Sequence, residues 1–441
     1  MENNNSKKIV KIELSQNHES TDPYKRRKKI IYFCFGFIGL FNNLGFVLII
    51  TSAQQFSSKL NDDKLIAFYP LALIIFDFFS RFINSKFCIT ISYFKRVLGL
   101  SIYFCFGYFL LFIILTIIDN KNDFNQKIAF ILTLIPSIIM GTGQAFGEVT
   151  FLGYIRTFHE NYVSGWSSGT GLAGIVGALL SIIFKLLNEK LNLKNLYLIL
   201  SLVTALFFFA FYITFKVKKN IDYICEIENE KSNGNNYNNK IELEIRESKY
   251  DKYDNTPNSA SNNKRMTLKN FFIVFKYGKR YILNMFIVYF LEYTVCSGFC
   301  ERSNYFKYID SKNMFFEKAQ YEIFLLFYQL GVFISRSSLF IFKYLNFVEL
   351  LNIFQLINFI FWLIEATMGI ISNQWFCFFT LFLLGLCGGG VYVGCFYFIL
   401  NDNRIPPEYK ELCLNICTIF IDLGVLLSSI ICIIFDNYIQ N

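Results

Sequence analysis

The sequence predicts an all-α polytopic membrane protein of major-facilitator type, with about eleven transmembrane helices arranged as bundles of six and five. Three observations predict it. Of the 441 residues, 54% are hydrophobic and only 17% charged, and the apolar residues gather in blocks long enough for the roughly 20-residue helix that crosses a bilayer. A single long polar stretch, 216–280, divides those blocks into two groups, and two bundles joined by such a loop is a transporter plan. The cationic residues also alternate between sides: with the N-terminus placed in the cytoplasm, 29 Lys and Arg fall on that side and 10 on the other, which is the bias that orients membrane helices.

Taken in order, residues 1–30 form a polar tail ending in the basic run KRRKK at 25–29. The N-terminal bundle, 31–215, contains spans at 31–52, 65–83, 97–118, 130–155, 166–187 and 196–215. The first is too long for a cleaved signal and lacks a small-residue cleavage site. Residues 216–280, with NGNNYNNK and DNTPNSASNNKR, have too little apolar surface to offset the entropy of folding and read as a disordered cytoplasmic linker. The C-terminal bundle, 281–435, contains spans at 281–300, 321–343, 348–371, 375–399 and 411–435. A short tail, 436–441, closes the chain.

The net charge of +9 follows from this topology and implies attraction to anionic lipid headgroups rather than to nucleic acid. The tail and the 216–280 segment are also the places where trafficking partners would bind. No CxxC or Cys/His cluster occurs among the twelve cysteines, so neither a metal nor a disulfide is predicted, and no cofactor motif appears. With two histidines, His18 and His159, and no nucleophile-and-base arrangement, the chain does not read as an enzyme.

Small residues recur every four positions, which permits close helix packing: Gly165, Gly169, Ala173 and Gly177 in the fifth span, and Gly385 with Gly389 and Gly390 with Gly394 in the tenth. Static packing and sliding against a neighbour are both consistent with that pattern.

Charge inside hydrocarbon costs on the order of 3 kcal/mol, so intramembrane ionisable residues face a cavity or a partner. The candidates are Asp77, Arg81, Glu148, Glu292, Arg336, Glu365 and Asp422. Asp77 and Arg81, four apart, can pair with each other or form a gating contact between bundles. Glu148, set in GQAFGEVTFLG, has glycines around it that would leave room for water or ligand. Without a cation nearby it would hold a proton more readily than a free glutamate and serve as a carrier. Arg336 cannot deprotonate, so it must be paired or hold an anion. It either faces Glu148 and Glu292 across a cavity, where an anionic substrate would meet it bidentately, or pairs with one of them.

Several strings together resemble one family. GEVTFL followed by GWSSGTGLAGIVGALL, then YQLGVFISRSSL and GLCGGGVYVGCF, are similar to the signature of the battenin family, with weaker similarity in FNNLGFVLIITSA, FLEY and ICTIFIDLGVLLSS. The resemblance covers most of both bundles but neither the tail nor 216–280. It implies an eleven-span solute carrier of lysosomal or vacuolar membranes, tied to clearance of glycerophosphodiesters and to lysosomal pH and basic amino-acid balance. It places Glu148, Glu292, Arg336 and Asp422 at matching positions, as substrate-contact or coupling residues. Where the family carries a histidine in the tenth span, this chain leaves Tyr392 or Tyr397 as a stand-in. The expected substrate is a small anionic phosphodiester. A basic amino acid, or a non-transporting trafficking role, is the alternative.

Overall fold

The computed structural model describes residues 23–60, 66, 68–120, 125–158, 162–186, 192–232, 266–300, 302–303, 314–338, 348–370 and 373–439. His18, His159, most of the N-terminal tail and the centre of the 216–280 segment lie outside them.

The described structure is helical throughout. In the first half the helices are α1 (Pro23–Lys59), α2 (Phe68–Ile74), α3 (Asp77–Lys86), α4 (Tyr93–Asn120), α5 (Gln126–Ile155), α6 (Val163–Leu186) and α7 (Leu193–Ser232). In the second half they are α8 (Leu268–Thr294), α9 (Met314–Ser337), α10 (Val348–Met368), α11 (Gln374–Asn401) and α12 (Pro407–Ile439). Nine of them are individually long and apolar enough to cross a membrane. Two expected spans depart from that pattern. The second, 65–83, is broken at Ile75–Phe76 into α2 and α3, with Asp77 and Arg81 on the second piece, so that neither piece is long and apolar enough to span on its own. The eighth, α9, is kinked at Ala319 and carries Glu317, Lys318, Glu322 and Arg336.

Helix also extends into the segment expected to be a disordered linker: α7 runs on to Ser232 and α8 begins at Leu268. Thr267 caps α8, its Oγ1 accepting the Asn270 amide at 3.2 Å, a bond that satisfies one of the orphan donors of the first turn. Past Glu292, α8 passes into a π-helical turn over Val295–Phe299, a local widening that redirects the following side chains.

The two halves meet along two seams, α6 against α9 and α2–α3 against α12. Outward-facing positions are apolar, among them Phe106, Leu202, Phe209, Ile353 and Ile357, the surface a bilayer covers. Within the first half, Gly165 and Gly169 seat α6 on α1. A Cβ at Gly165 would stand 2.8 Å from the Tyr32 carbonyl oxygen, and one at Gly169 would overlap the Gly36 carbonyl. Gly177 meets Val47 of α1 in the same way, at 2.8 Å. The four-residue repeat is therefore a packing face inside one bundle. The opposite edge of α6 makes the contact between bundles: Gly171 lies against the Phe333 backbone, 2.9 Å from where its Cβ would be, and Gly174 against Gln329. In α11, Gly385 and Gly389 pack on Tyr328, Val332 and Ser335 of α9, and Gly390 is buried.

Candidate functional site

The break between α2 and α3 positions the charged residues. Asp77 opens α3 and Arg81 follows one turn later on the same face, both about 1% exposed. The expected Asp77–Arg81 pair is not the hydrogen-bonded one. Arg81 instead reaches out of its own helix to two others: Nε and Nη2 donate to Asp422 of α12 at 2.6 and 3.0 Å, and Nη2 donates to Glu148 of α5 at 3.0 Å. Asp422 belongs to the second half, so this bidentate pair clamps the two bundles together. Asp77 Oδ1 is left buried without a hydrogen-bond donor.

Glu148 thus has a full cationic partner, which removes the premise of an isolated carboxyl. Its other oxygen, Oε1, accepts the Tyr392 hydroxyl of α11 at 2.8 Å. The glycines near it do not open space either. Gly141 is filled by the Leu73 backbone of α2, Gly143 by the Phe104 ring at 2.8 Å and Gly147 by Asn42. They let α5 approach its neighbours closely, and that approach brings Glu148 within reach of Arg81.

Arg336 pairs with none of the described carboxylates. Nη1 donates to Thr170 Oγ1 of α6 at 2.8 Å, Nη2 donates to the Tyr289 hydroxyl of α8 at 3.0 Å, and the guanidinium lies 4.0 Å from the centre of the Tyr392 ring. Such stacking stabilises a desolvated guanidinium by up to about 2 kcal/mol. Its Nε is buried with no hydrogen-bond partner. Glu292 does not share the cavity wall. It accepts a hydrogen bond from the Tyr328 hydroxyl and sits against Gly388, its Oε2 unsatisfied. Glu365 is apart from the cluster, buried in the second half and accepting from Ser303 Oγ at 3.3 Å.

Between the bundles lies a cavity of about 70 Å³, lined by Asp77, Arg81, Glu148 and Asp422 on one side and by Arg336, Tyr289, Tyr328 and Tyr392 on another. That is room for a few water molecules, far less than the several hundred Å³ of a typical ligand site. Ion pairs brace the bundles above and below it. In the last turn of α6, Lys185 donates to Glu322 at 2.7 and 2.9 Å and to Gln54 at 2.8 Å. At the end of α5, Arg156 donates to Glu411 at 3.3 Å and to the Pro407 carbonyl at 2.6 Å.

Sequence reasoning missed Thr170, Tyr289 and Tyr328, since a hydroxyl in a membrane span carries no charge signal. It missed Lys185–Glu322 because both lie at span ends, where ionisable residues are ordinary. Tyr392 was signalled only by its place in the tenth span.

Two bundles around a central polar cavity define a multi-pass membrane protein with a transporter fold. Solved structures agree: over 93% of this chain and 98% of theirs it superposes on a bacterial homologue of the iron transporter ferroportin with a TM-score of 0.54 at 12% identity. A mutant of the peptide transporter POT gives 0.53, again at 12% identity, covering 92% of this chain and 88% of that one. At such identity the likeness is one of fold. The family is resolved by sequence: residues 31–441 match the family model described as CLN3 protein, and the chain belongs to that family. Battenin of Dictyostelium discoideum is 27% identical over 422 residues, 91% of this chain and 93% of that protein. Protein BTN1 of Saccharomyces cerevisiae is likewise 27% identical over 422 residues, with 91% and 93% covered. Battenin of Canis lupus familiaris is 28% identical over 303 residues, 68% of this chain and 64% of that protein.

Proposed function

We propose that the chain is a carrier that moves small anionic phospholipid catabolites, glycerophosphodiesters above all, across a lysosomal or vacuolar membrane by alternating access, with its N-terminus in the cytoplasm. One observation carries the reading. Arg336 stands at the wall of the central cavity, and among the described residues its hydrogen bonds go to two hydroxyls and its face to an aromatic ring, with Nε unused. A guanidinium in a low-dielectric site with no ion-paired carboxylate among the described residues, Glu292 acting on it only through space, is a ready partner for a phosphodiester, whose two oxygens match its planar fork.

The cavity as it stands is too small for that substrate, so binding requires the bundles to separate on one side. The Lys185–Glu322 and Arg156–Glu411 pairs are the contacts that must break in turn. Family membership and the homologues named battenin support the compartment. A basic amino acid is the second reading, favoured by the unsatisfied Asp77 oxygen, which would receive a cationic head.

Uptake into proteoliposomes separates the two. Wild-type protein is expected to accumulate labelled glycerophosphodiester saturably, and Arg336→Ala to lose it. Arginine uptake that survives Arg336→Ala and is lost in Asp77→Asn would replace the anion reading with the cationic one.

A further inference from the structure

The charges around Arg81 do not balance. Three carboxyls, Asp77, Glu148 and Asp422, face this single guanidinium. Two of them take up its hydrogen bonds, while Asp77, 1% exposed and lining the cavity, has an oxygen with no donor. The groups facing Asp77 come from its own helix (Arg81), from α5 (Glu148) and from α12 (Asp422), with Arg336 and its tyrosines across the cavity. The described residues offer no group arranged to hold a metal ion; both oxygens of Asp422 and Oε2 of Glu148 are turned toward Arg81, and Glu148 Oε1 is taken up by Tyr392.

We propose that Asp77 is the proton-binding site of the carrier, and that its proton decides whether Arg81 clamps α3 to α12 or turns back onto its own helix. With Asp77 protonated, Arg81 has two anionic partners and makes the bidentate bond to Asp422 seen here. When Asp77 releases its proton to water in the cavity, a third carboxylate competes for the same guanidinium. Asp77 is four residues from Arg81 on one helical face, so the competitor needs no backbone movement to reach it. Arg81 then gives up Asp422, and the seam between α2–α3 and α12 loses the contact that closes it. Substrate is tied to the same event through Tyr392, which donates to Glu148 and carries the Arg336 guanidinium on its face. A phosphodiester drawing Arg336 off that ring disturbs the cluster that holds Arg81. This deepens the carrier reading and rests on it for transport, though not for the proton site itself.

The test has a transport arm and a transport-independent one. In proteoliposomes, one proton per cycle across a unit of pH difference supports about tenfold accumulation. Asp77→Asn, which resembles the protonated form in shape and charge and leaves Arg81 on Asp422, is expected to lose that accumulation while keeping the wild-type unfolding midpoint. Asp77→Glu is expected to restore gradient dependence. Gradient-driven accumulation undiminished in Asp77→Asn would overturn the proposal, as would accumulation that follows a sodium gradient at constant pH and is lost in Asp77→Asn.

Independently, infrared spectra of wild-type protein labelled with ¹³C-aspartate are expected to show, from about pH 6 where exposed aspartates are ionised, a protonated aspartic carboxyl band that disappears as pH is raised to about 9 and is missing in Asp77→Asn. Absence of that band throughout the range, or its persistence in Asp77→Asn, would overturn the proposal even if the variant folded poorly. A wild-type band with no transport of glycerophosphodiester would support the proton site and remove the anion reading.

Discussion

Stability should fall in an order set by which charge is left unpaired, with Arg81→Met the most damaging change in the cluster and Asp77→Asn nearly silent. Arg81 makes three charge-assisted hydrogen bonds to carboxylates, each worth about 1.5–3 kcal/mol net. Removing it also leaves Glu148 and Asp422 buried without a cation. Breaking one partner out of a buried pair costs about 3–5 kcal/mol, and Arg81→Met belongs at or above the top of that range. Asp422→Asn keeps Glu148 as a partner for Arg81 and should fall near the bottom. Asp77→Asn removes no hydrogen bond from Oδ1, which has none, and should leave stability within about 0.5 kcal/mol of wild type. At about 2 °C per kcal/mol for a large protein, Arg81→Met lowers the unfolding midpoint by roughly 10 °C. Thermal unfolding of the detergent-purified variants, followed by intrinsic fluorescence, measures the order. Arg81→Met no less stable than Asp77→Asn would refute the claim that Arg81 is the keystone of the seam.

Three further outcomes follow from the geometry. Gly169→Ala places a methyl group against the Gly36 carbonyl and should cost about 1–3 kcal/mol through forced separation of α1 and α6, whereas Gly99→Ala, with nothing within 4 Å, should stabilise by roughly 0.5–1 kcal/mol. The two unfolding midpoints moving in the same direction would contradict this. In the loop after α11, the Arg404 guanidinium holds Asp402 down at about 2. The folded value lies below the unfolded one, so this contribution is present above pH ~4 and lost as pH falls toward ~2. The difference in denaturation midpoint between wild type and Asp402→Asn should therefore be constant near neutrality and shrink in acid. Glu322→Gln weakens the Lys185 contact that closes one end of the cavity, and should speed labelling of a cysteine placed at Gln329 by an impermeant thiol reagent. An unchanged rate would show that the ion pair is no barrier.

Much of this architecture was legible in the linear chain, for a physical reason: a helix in lipid must satisfy its own backbone, so apolar length alone reveals it. The exceptions are where charge interrupts that length. Asp77 and Arg81 follow the break between α2 and α3, and the sequence spacing shows their capacity to pair but not the competition from Asp422, which lies 341 residues from Arg81. The cost of buried charge singled out Glu148, Arg336 and Asp422, yet the partner of each depends on which helices adjoin, and that is tertiary information. The glycines around Glu148 show the same limit. Their lack of a side chain is visible in sequence, but whether solvent or the Leu73 backbone and Asn42 fill the gap is not.

The most direct measurement is equilibrium binding of a radiolabelled glycerophosphodiester to purified protein, wild type beside Arg336→Lys. Lysine keeps the charge but not the planar fork or the stacking on Tyr392, so affinity should drop by about tenfold or more, with Lys185→Met used alongside to show that loss of a cation elsewhere does not do the same. Equal affinity in wild type and Arg336→Lys, or binding by neither in folded protein, would contradict the assignment of Arg336 as the anion site.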